Sequence, residues 1–214
     1  MTKITVLGGT GYTGGNIVAA AAARGHEVTS FSRSVPEAPI AGVSYETGSL
    51  LEAAVRERAV NGADVVVAAL APRGELEDEL RTVYGQIADL AAASGARFGV
   101  VGGFSSLRTA EGAPRIAYGD GVPAQFATEA RVMAEIIDDL QGSTSTDLDW
   151  FFVSPAGNYG SYAPGEATGE YTVGGEVANF ERAELSLSGV DFAAAILDEI
   201  EQPKHPRAHI SVTA

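Results

Sequence analysis

A chain of 214 residues, 45% apolar and 20% charged, has the size of one domain, and at about 200 residues a chain buries roughly 70% of its surface without metal or disulfide. Cysteine is absent, which excludes disulfides, thiolate metal sites and a Cys nucleophile and fits a cytoplasmic location. A net charge of −14, with Lys3 and Lys204 as the lysines and the arginines scattered, opposes phosphate backbones and anionic lipid, so neither nucleic acid nor membrane is an expected partner.

In chain order, residues 4–7 read as a buried strand that passes straight into glycines, without the apolar core of about 7–15 residues that a signal peptide needs. Residues 16–24 read as a helix stopped by Gly25 at the C′ position. Strands are expected at 27–32 and 43–47. Ser49 and Glu52 have the spacing of a capping box, with Ser49 accepting an orphan N–H and Glu52 reaching back, which opens a helix to about residue 59. The apolar run within 64–71 reads as a strand covered on both faces. A helix over 75–93, a strand at 98–102, a helix over 125–140 and a strand at 149–153 follow. Ser188 caps a last helix to about residue 201, and 209–213 closes the chain as a strand. No run approaches about 18 apolar residues, so no transmembrane helix is expected.

Strand and helix in alternation predict an α/β fold: one doubly wound Rossmann-type domain over 1–214, its sheet mostly parallel with helices on both faces. Two Gly- and Pro-rich stretches, 105–124 and 155–187, break the rhythm. Both follow the C-terminal ends of strands, where open α/β sheets place ligands.

The first strand runs into Gly8-Gly9-Thr10-Gly11-Tyr12-Thr13-Gly14, which fits G-x-G-x-x-G between a strand and a helix, the context that motif requires. Its glycines allow a tight turn, a close approach to pyrophosphate and close helix–strand packing, and the helix N-terminus offers free N–H groups to phosphate. A protein selective for NAD places an acid at the end of the second strand to bind the ribose 2′-hydroxyl. Here Ser32, Arg33 and Ser34 stand there and no acid follows until Glu37. Arg33 presents a fork suited to a 2′-phosphate, with Ser32 or Ser34 adding a hydroxyl, so NADP(H) is the expected cofactor.

These residues resemble the atypical short-chain dehydrogenase/reductases, and within them the NAD(P)H-binding group of NmrA-like proteins and biliverdin-IXβ/flavin reductases. The likeness continues through Val100-Val101-Gly102-Gly103, Asp149-Trp150, Ser154-Pro155-Ala156, Thr168-Gly169-Glu170-Tyr171, Leu187-Ser188, Asp191-Phe192-Ala193 and Asp198-Glu199-Ile200-Glu201. It implies that Gly48, Ser49 and Leu50 lie beside the adenine, with Ser49 where most relatives carry Asp. It further implies that Ala69, Leu70 and Ala71 line the dinucleotide. Gly102, Gly103 and Phe104 would sit by the nicotinamide ribose, and Pro155, Ala156 and Gly157 would back the ring.

Conventional members of that superfamily use a Tyr with a Lys four residues on, the Lys lowering the Tyr pKa for proton transfer. Four residues beyond the seven tyrosines stand Asn16, Ser49, Ala88, Val122, Ala163, Glu166 and Gly175, so the pair is absent. A sugar-nucleotide epimerase or dehydratase would need it. What remains is hydride transfer by positioning, with NADPH reducing a small flat acceptor such as a flavin or quinone. The other reading is an NmrA-like, non-catalytic redox sensor that binds NADP(H). Candidate catalytic residues are Ser105, beside Ser106, as donor to a substrate carbonyl or as a local cap, and Tyr118 and Tyr159, as stacking or donor groups or as loop anchors. Arg73 can reach phosphate or an acidic substrate, or serve as a surface charge. His26, His205 and His209 lack metal spacing, and the charge run at 75–79 reads as a solvated helix start. A monomer or small homo-oligomer acting on a small molecule is expected.

Overall fold

The computed structural model describes residues 1–143 and 145–214. Eight strands form one sheet: β1 (Lys3–Leu7), β2 (Glu27–Ser32), β3 (Val43–Thr47), β4 (Val65–Ala68), β5 (Arg97–Val101), β6 (Trp150–Pro155), β7 (Thr172–Gly174) and β8 (Ala208–Thr213). Their spatial order is β3-β2-β1-β4-β5-β6-β8-β7, parallel throughout except for β7 against β8. This is the Rossmann-like α/β fold that the alternation predicts.

Side-chain alternation along the central strands divides the core in two. Ile4 and Val6, Val65 and Val67, and Phe151 and Val153 point to one face, where α1 (Tyr12–Ala23) and α5 (Gly189–Glu201) cover them with Ile17, Val18, Phe192 and Ile196. Leu7, Val66, Ala68, Trp150 and Phe152 point to the other, beneath α2 (Ala53–Val60), α3 (Leu80–Ser94) and α4 (Ala124–Gly142). Trp150 is therefore core, as its strand position predicts. Gly102, just past β5, leaves room for the Phe152 ring, since an added Cβ would sit 2.0 Å from its Cε1.

Several boundaries differ from expectation. α1 starts at Tyr12, because Gly11 already occupies the extended N-cap position. The capping box does not form. α2 starts at Ala53 with Glu52 at its N-cap and no side-chain cap, while Ser49 Oγ accepts from the Leu51 N–H at 3.2 Å and donates to Glu75 at 3.0 Å. After β4 the chain leaves the sheet at Ala69, makes a one-turn helix at Gly74–Leu76 and enters α3 only at Leu80. Gly25 does take the left-handed C′ position (φ +77°), and Ser188 caps α5 by accepting from the Asp191 N–H at 2.9 Å.

The two long loops are tied to each other. The Arg108 N–H donates to Glu176 O and the Ala178 N–H to Arg108 O, each at 2.8 Å. Arg115, its side chain fully buried, donates at 2.7 Å to Asp138, to Gln141 and to the Ser106 carbonyl, fastening the first loop to α4.

Candidate dinucleotide-binding site

The glycine turn is built by short backbone bonds. The Gly8 N–H donates to Phe31 O at 2.8 Å and the Gly11 N–H to Gly8 O at 3.0 Å. α1 then begins so close to β1 that a Cβ on Gly14 would fall 2.1 Å from Gly8 O. No side chain caps α1, so its first N–H groups face outward, in the arrangement that receives phosphate.

Beside this turn lies a cavity of about 480 Å³ across the C-terminal ends of β1, β2, β3 and β4. Gly8, Thr10 and Gly11 form its floor, Ser32 and Arg33 one edge, Gly48 and Leu50 the far end, and Ala69, Leu70 and Ala71 the opposite edge. Phe31, Arg73, Glu75 and Leu76 complete it. The Arg33 guanidinium is exposed and lies against Gly74, 3.8 Å from the point a Cβ there would take. No carboxylate among the described residues pairs with it, whereas Arg73 is held by Glu129 at 2.7 Å. Ser32 Oγ accepts from the Thr10 N–H at 3.2 Å, which makes it a brace of the turn. Ser34 lies outside the cavity, exposed, and Ser49 stands behind Glu75.

Two residues that sequence reasoning passed over shape this cavity. Tyr84, fully buried in α3, accepts from the Leu70 N–H at 3.2 Å and so fixes the β4 edge. Burial pushes its hydroxyl above the ordinary tyrosine value. Glu75 is exposed, as expected of a solvated charge at a helix start, and it also lines the cavity, where Ser49 Oγ donates to it at 3.0 Å. No spacing rule distinguishes it from Glu77 or Glu79.

The side chains of Tyr12 and Thr13 do not enter the cavity. The Tyr12 hydroxyl accepts from the Gly189 N–H at 3.1 Å and donates to Pro164 O at 3.2 Å. Thr13 Oγ1 shares a 2.8 Å hydrogen bond with the Tyr159 hydroxyl. These positions face α5 and the second loop, leaving only their backbone N–H groups beside the glycine turn.

The other half of the sheet edge lies over β5 and β6, whose ends adjoin through the Val101–Val153 pairing. Gly102, Gly103 and Phe104 leave β5; Ala156 and Gly157 follow Pro155 at the end of β6. The Phe104 ring lies 3.7 Å from the point a Cβ on Gly157 would take and meets Phe180 edge to face at 6.1 Å. Phe180 is 54% exposed, so an open aromatic rim borders this half. Ser105 is half-buried in the one-turn helix Phe104–Ser106.

Tyr118 and Tyr159 are engaged elsewhere. The Tyr118 hydroxyl donates to Asp138 at 2.6 Å, and burial, then Asp138, push its pKa up to about 12. Tyr159 packs on Tyr12 and Phe192 with centroids 5.7 and 4.7 Å apart. Burial raises its pKa above the ordinary value against the opposing bond to Thr13. Both tyrosines take the geometry of loop anchors.

A family model described as NAD(P)H-binding matches residues 8–203. The chain belongs to this NAD(P)H-binding family. A Bacillus subtilis relative, YwnB, is 29% identical over 215 residues, covering 99% of this chain and 98% of its own. A Streptococcus pneumoniae structure provisionally described as an NADH-flavin reductase is 30% identical, covers 100% of this chain and 99% of its own, and superposes with a TM-score of 0.85. A Bacteroides thetaiotaomicron structure provisionally described as an epimerase is 28% identical over 99% of this chain and 96% of its own, with a TM-score of 0.84. The family is oxidoreductase-like, in keeping with the glycine turn and cavity. Among the described residues no helix is long and apolar enough to cross a membrane, and no group of three His, Cys, Asp or Glu is placed to hold a metal.

Proposed function

We propose that this protein is an NADP(H)-dependent reductase that delivers hydride to a small flat acceptor, a flavin or a quinone. The observation that carries the cofactor preference is the exposed Arg33 guanidinium at the edge of the cavity, without a carboxylate partner among the described residues. An arginine fork there suits a 2′-phosphate and leaves a bare 2′-hydroxyl without an acceptor. The fit of a dinucleotide rests on the uncapped start of α1 and on the Gly8–Gly14 approach, which only glycine at position 14 permits.

NADPH, when bound, supplies the hydride, and the proton that completes the reduced acceptor comes from solvent. The chain's own part is to hold two flat groups face to face. Gly103 and Ala156 border the sheet edge without bulk, and Phe104 and Phe180 give an aromatic surface on which a flat ring system can lie. Positioning of this kind supports hydride transfer without a side-chain acid or base. That agrees with tyrosine hydroxyls held by Asp138 and Thr13 and with the missing Tyr–Lys pair.

Purified protein given NADPH and a panel of flavins and quinones is expected to consume the reduced-nicotinamide absorbance with at least one acceptor. NADP(H) binding without turnover on any of them would replace the reductase with the NmrA-like sensor.

A further inference from the structure

The far end of the cavity holds a group that phosphate recognition leaves unused. With the glycine turn at the end of β1, the cavity's extension toward β2 and β3 is the place for the adenosine. Leu50, Leu70 and Leu76 wall this end, and Glu75 is the one carboxylate among the described residues that line it. Glu75 reaches from the turn after β4 to the loop after β3, where Ser49 Oγ donates to its Oε2 at 3.0 Å. Neither arginine of the cavity pairs with it, since Arg73 is bound to Glu129 and Arg33 lies against Gly74. Oε1 has no hydrogen-bond partner among the described residues.

Glu75 is exposed and held through one oxygen, so its other oxygen is free to accept from a donor that enters beside the three leucines. The exocyclic amine of adenine is such a donor, at the end of the base farthest from the ribose. A 6-oxo purine places a carbonyl oxygen there, which would face the carboxylate with like partial charge. We propose that Glu75, held by Ser49, reads the base of the dinucleotide by accepting from the adenine amine and rejecting a 6-oxo purine. This rests on the dinucleotide reading above but not on the 2′-phosphate preference.

The test is calorimetric titration of the intact protein, with no acceptor present, using NADP⁺, NAD⁺ and the hypoxanthine counterpart of each. Wild-type protein is expected to bind the adenine form about ten- to a hundredfold more tightly than the hypoxanthine form, the factor carried by one charge-assisted hydrogen bond. The ratio should collapse toward one in Glu75→Ala. Ser49→Ala, which frees the carboxylate to swing, should lower it by a smaller factor. An unchanged ratio in Glu75→Ala overturns the proposal. So does a Glu75→Ala effect confined to the preference between NADP⁺ and NAD⁺, which would make Glu75 a neighbour of the ribose. If NAD⁺ binds more tightly than NADP⁺ while the base ratio still collapses, the proposal stands and the Arg33 assignment falls. If no dinucleotide binds, both readings fall together.

Discussion

Arg33 leaves β2 where the sheet edge, the glycine turn and the loop after β4 converge, and its guanidinium lies over Gly74, 3.8 Å from the point a Cβ there would take. It is exposed and has no carboxylate partner among the described residues, while Arg73 on the same rim is paired with Glu129 at 2.7 Å. Arg33→Ala is expected to weaken NADP(H) by about 1–3 kcal/mol, the range for a charged hydrogen-bond partner, and NAD(H) far less. Fluorescence titration of both cofactors checks this, and equal weakening would remove Arg33 from the 2′-phosphate. Arg73→Ala should have the smaller effect on NADP(H), because its removal takes away a charge already paired. The place of Arg33 at the cavity edge was readable from the sequence because the end of the second strand is a fixed landmark in this fold. Glu75 was not, because its direction depends on how the chain turns between β4 and α3, and a short turn carries no periodicity.

At the scale of elements, the readable signals were those in which burial enforces a pattern. Val65 to Ala68 is buried at every position, and a run of that kind is a strand between two helix layers. β7 escaped because Thr172, Val173 and Gly174 are all exposed and pair only along one edge of β8, so no alternation marks them. The start of α2 was misread for a related reason. Ser49 and Glu52 have capping spacing, but the side chain of Ser49 is drawn to Glu75 and to the Leu51 N–H instead. The acceptor side is carried by loops, and its aromatic rim could not be foreseen from the strand pattern. Phe180 lies in the second loop, far from Phe104 in sequence, yet meets its ring edge to face at 6.1 Å. Phe180→Ala is expected to raise the KM for a flavin or quinone several-fold, with the Kd for NADPH unchanged. A Kd that rises in step would move Phe180 to the cofactor; unchanged KM and Kd would detach the rim from the acceptor.

Across the whole molecule, ionisable groups whose pKa the fold shifts couple stability to pH. His209 lies in β8, 5% exposed, with Nδ1 facing Arg115 Nη1 at 3.2 Å and Nε2 facing Ser154 Oγ at 2.8 Å. Arginine cannot accept, so Nδ1 is the acceptor and Nε2 carries the proton toward Ser154. Burial, then the charges of Arg115 and Arg108, push the pKa of His209 from 6.5 down to about 3. The folded protein thus refuses a proton that the unfolded chain accepts at 6.5, and stability falls as pH drops from there toward about 3. A second loss begins lower. Burial raises Glu176, Asp191, Asp198 and Glu199, but their hydrogen bonds outweigh it and hold all four below the ordinary values of 3.8 for Asp and 4.5 for Glu. Their stabilising contribution is complete above those values and disappears as pH falls through the lower native ones. Urea unfolding measured against pH should therefore show a shallow decline below 6.5 and a steeper one below 4.5. His209→Gln keeps an acceptor for Arg115 and a donor for Ser154 but cannot titrate there. Subtracting its curve from the wild type isolates the histidine: the difference should be flat above 6.5 and slope between 6.5 and 4.5, with the variant gaining on the wild type as pH falls. Parallel curves across that window would mean that His209 is protonated in the folded protein.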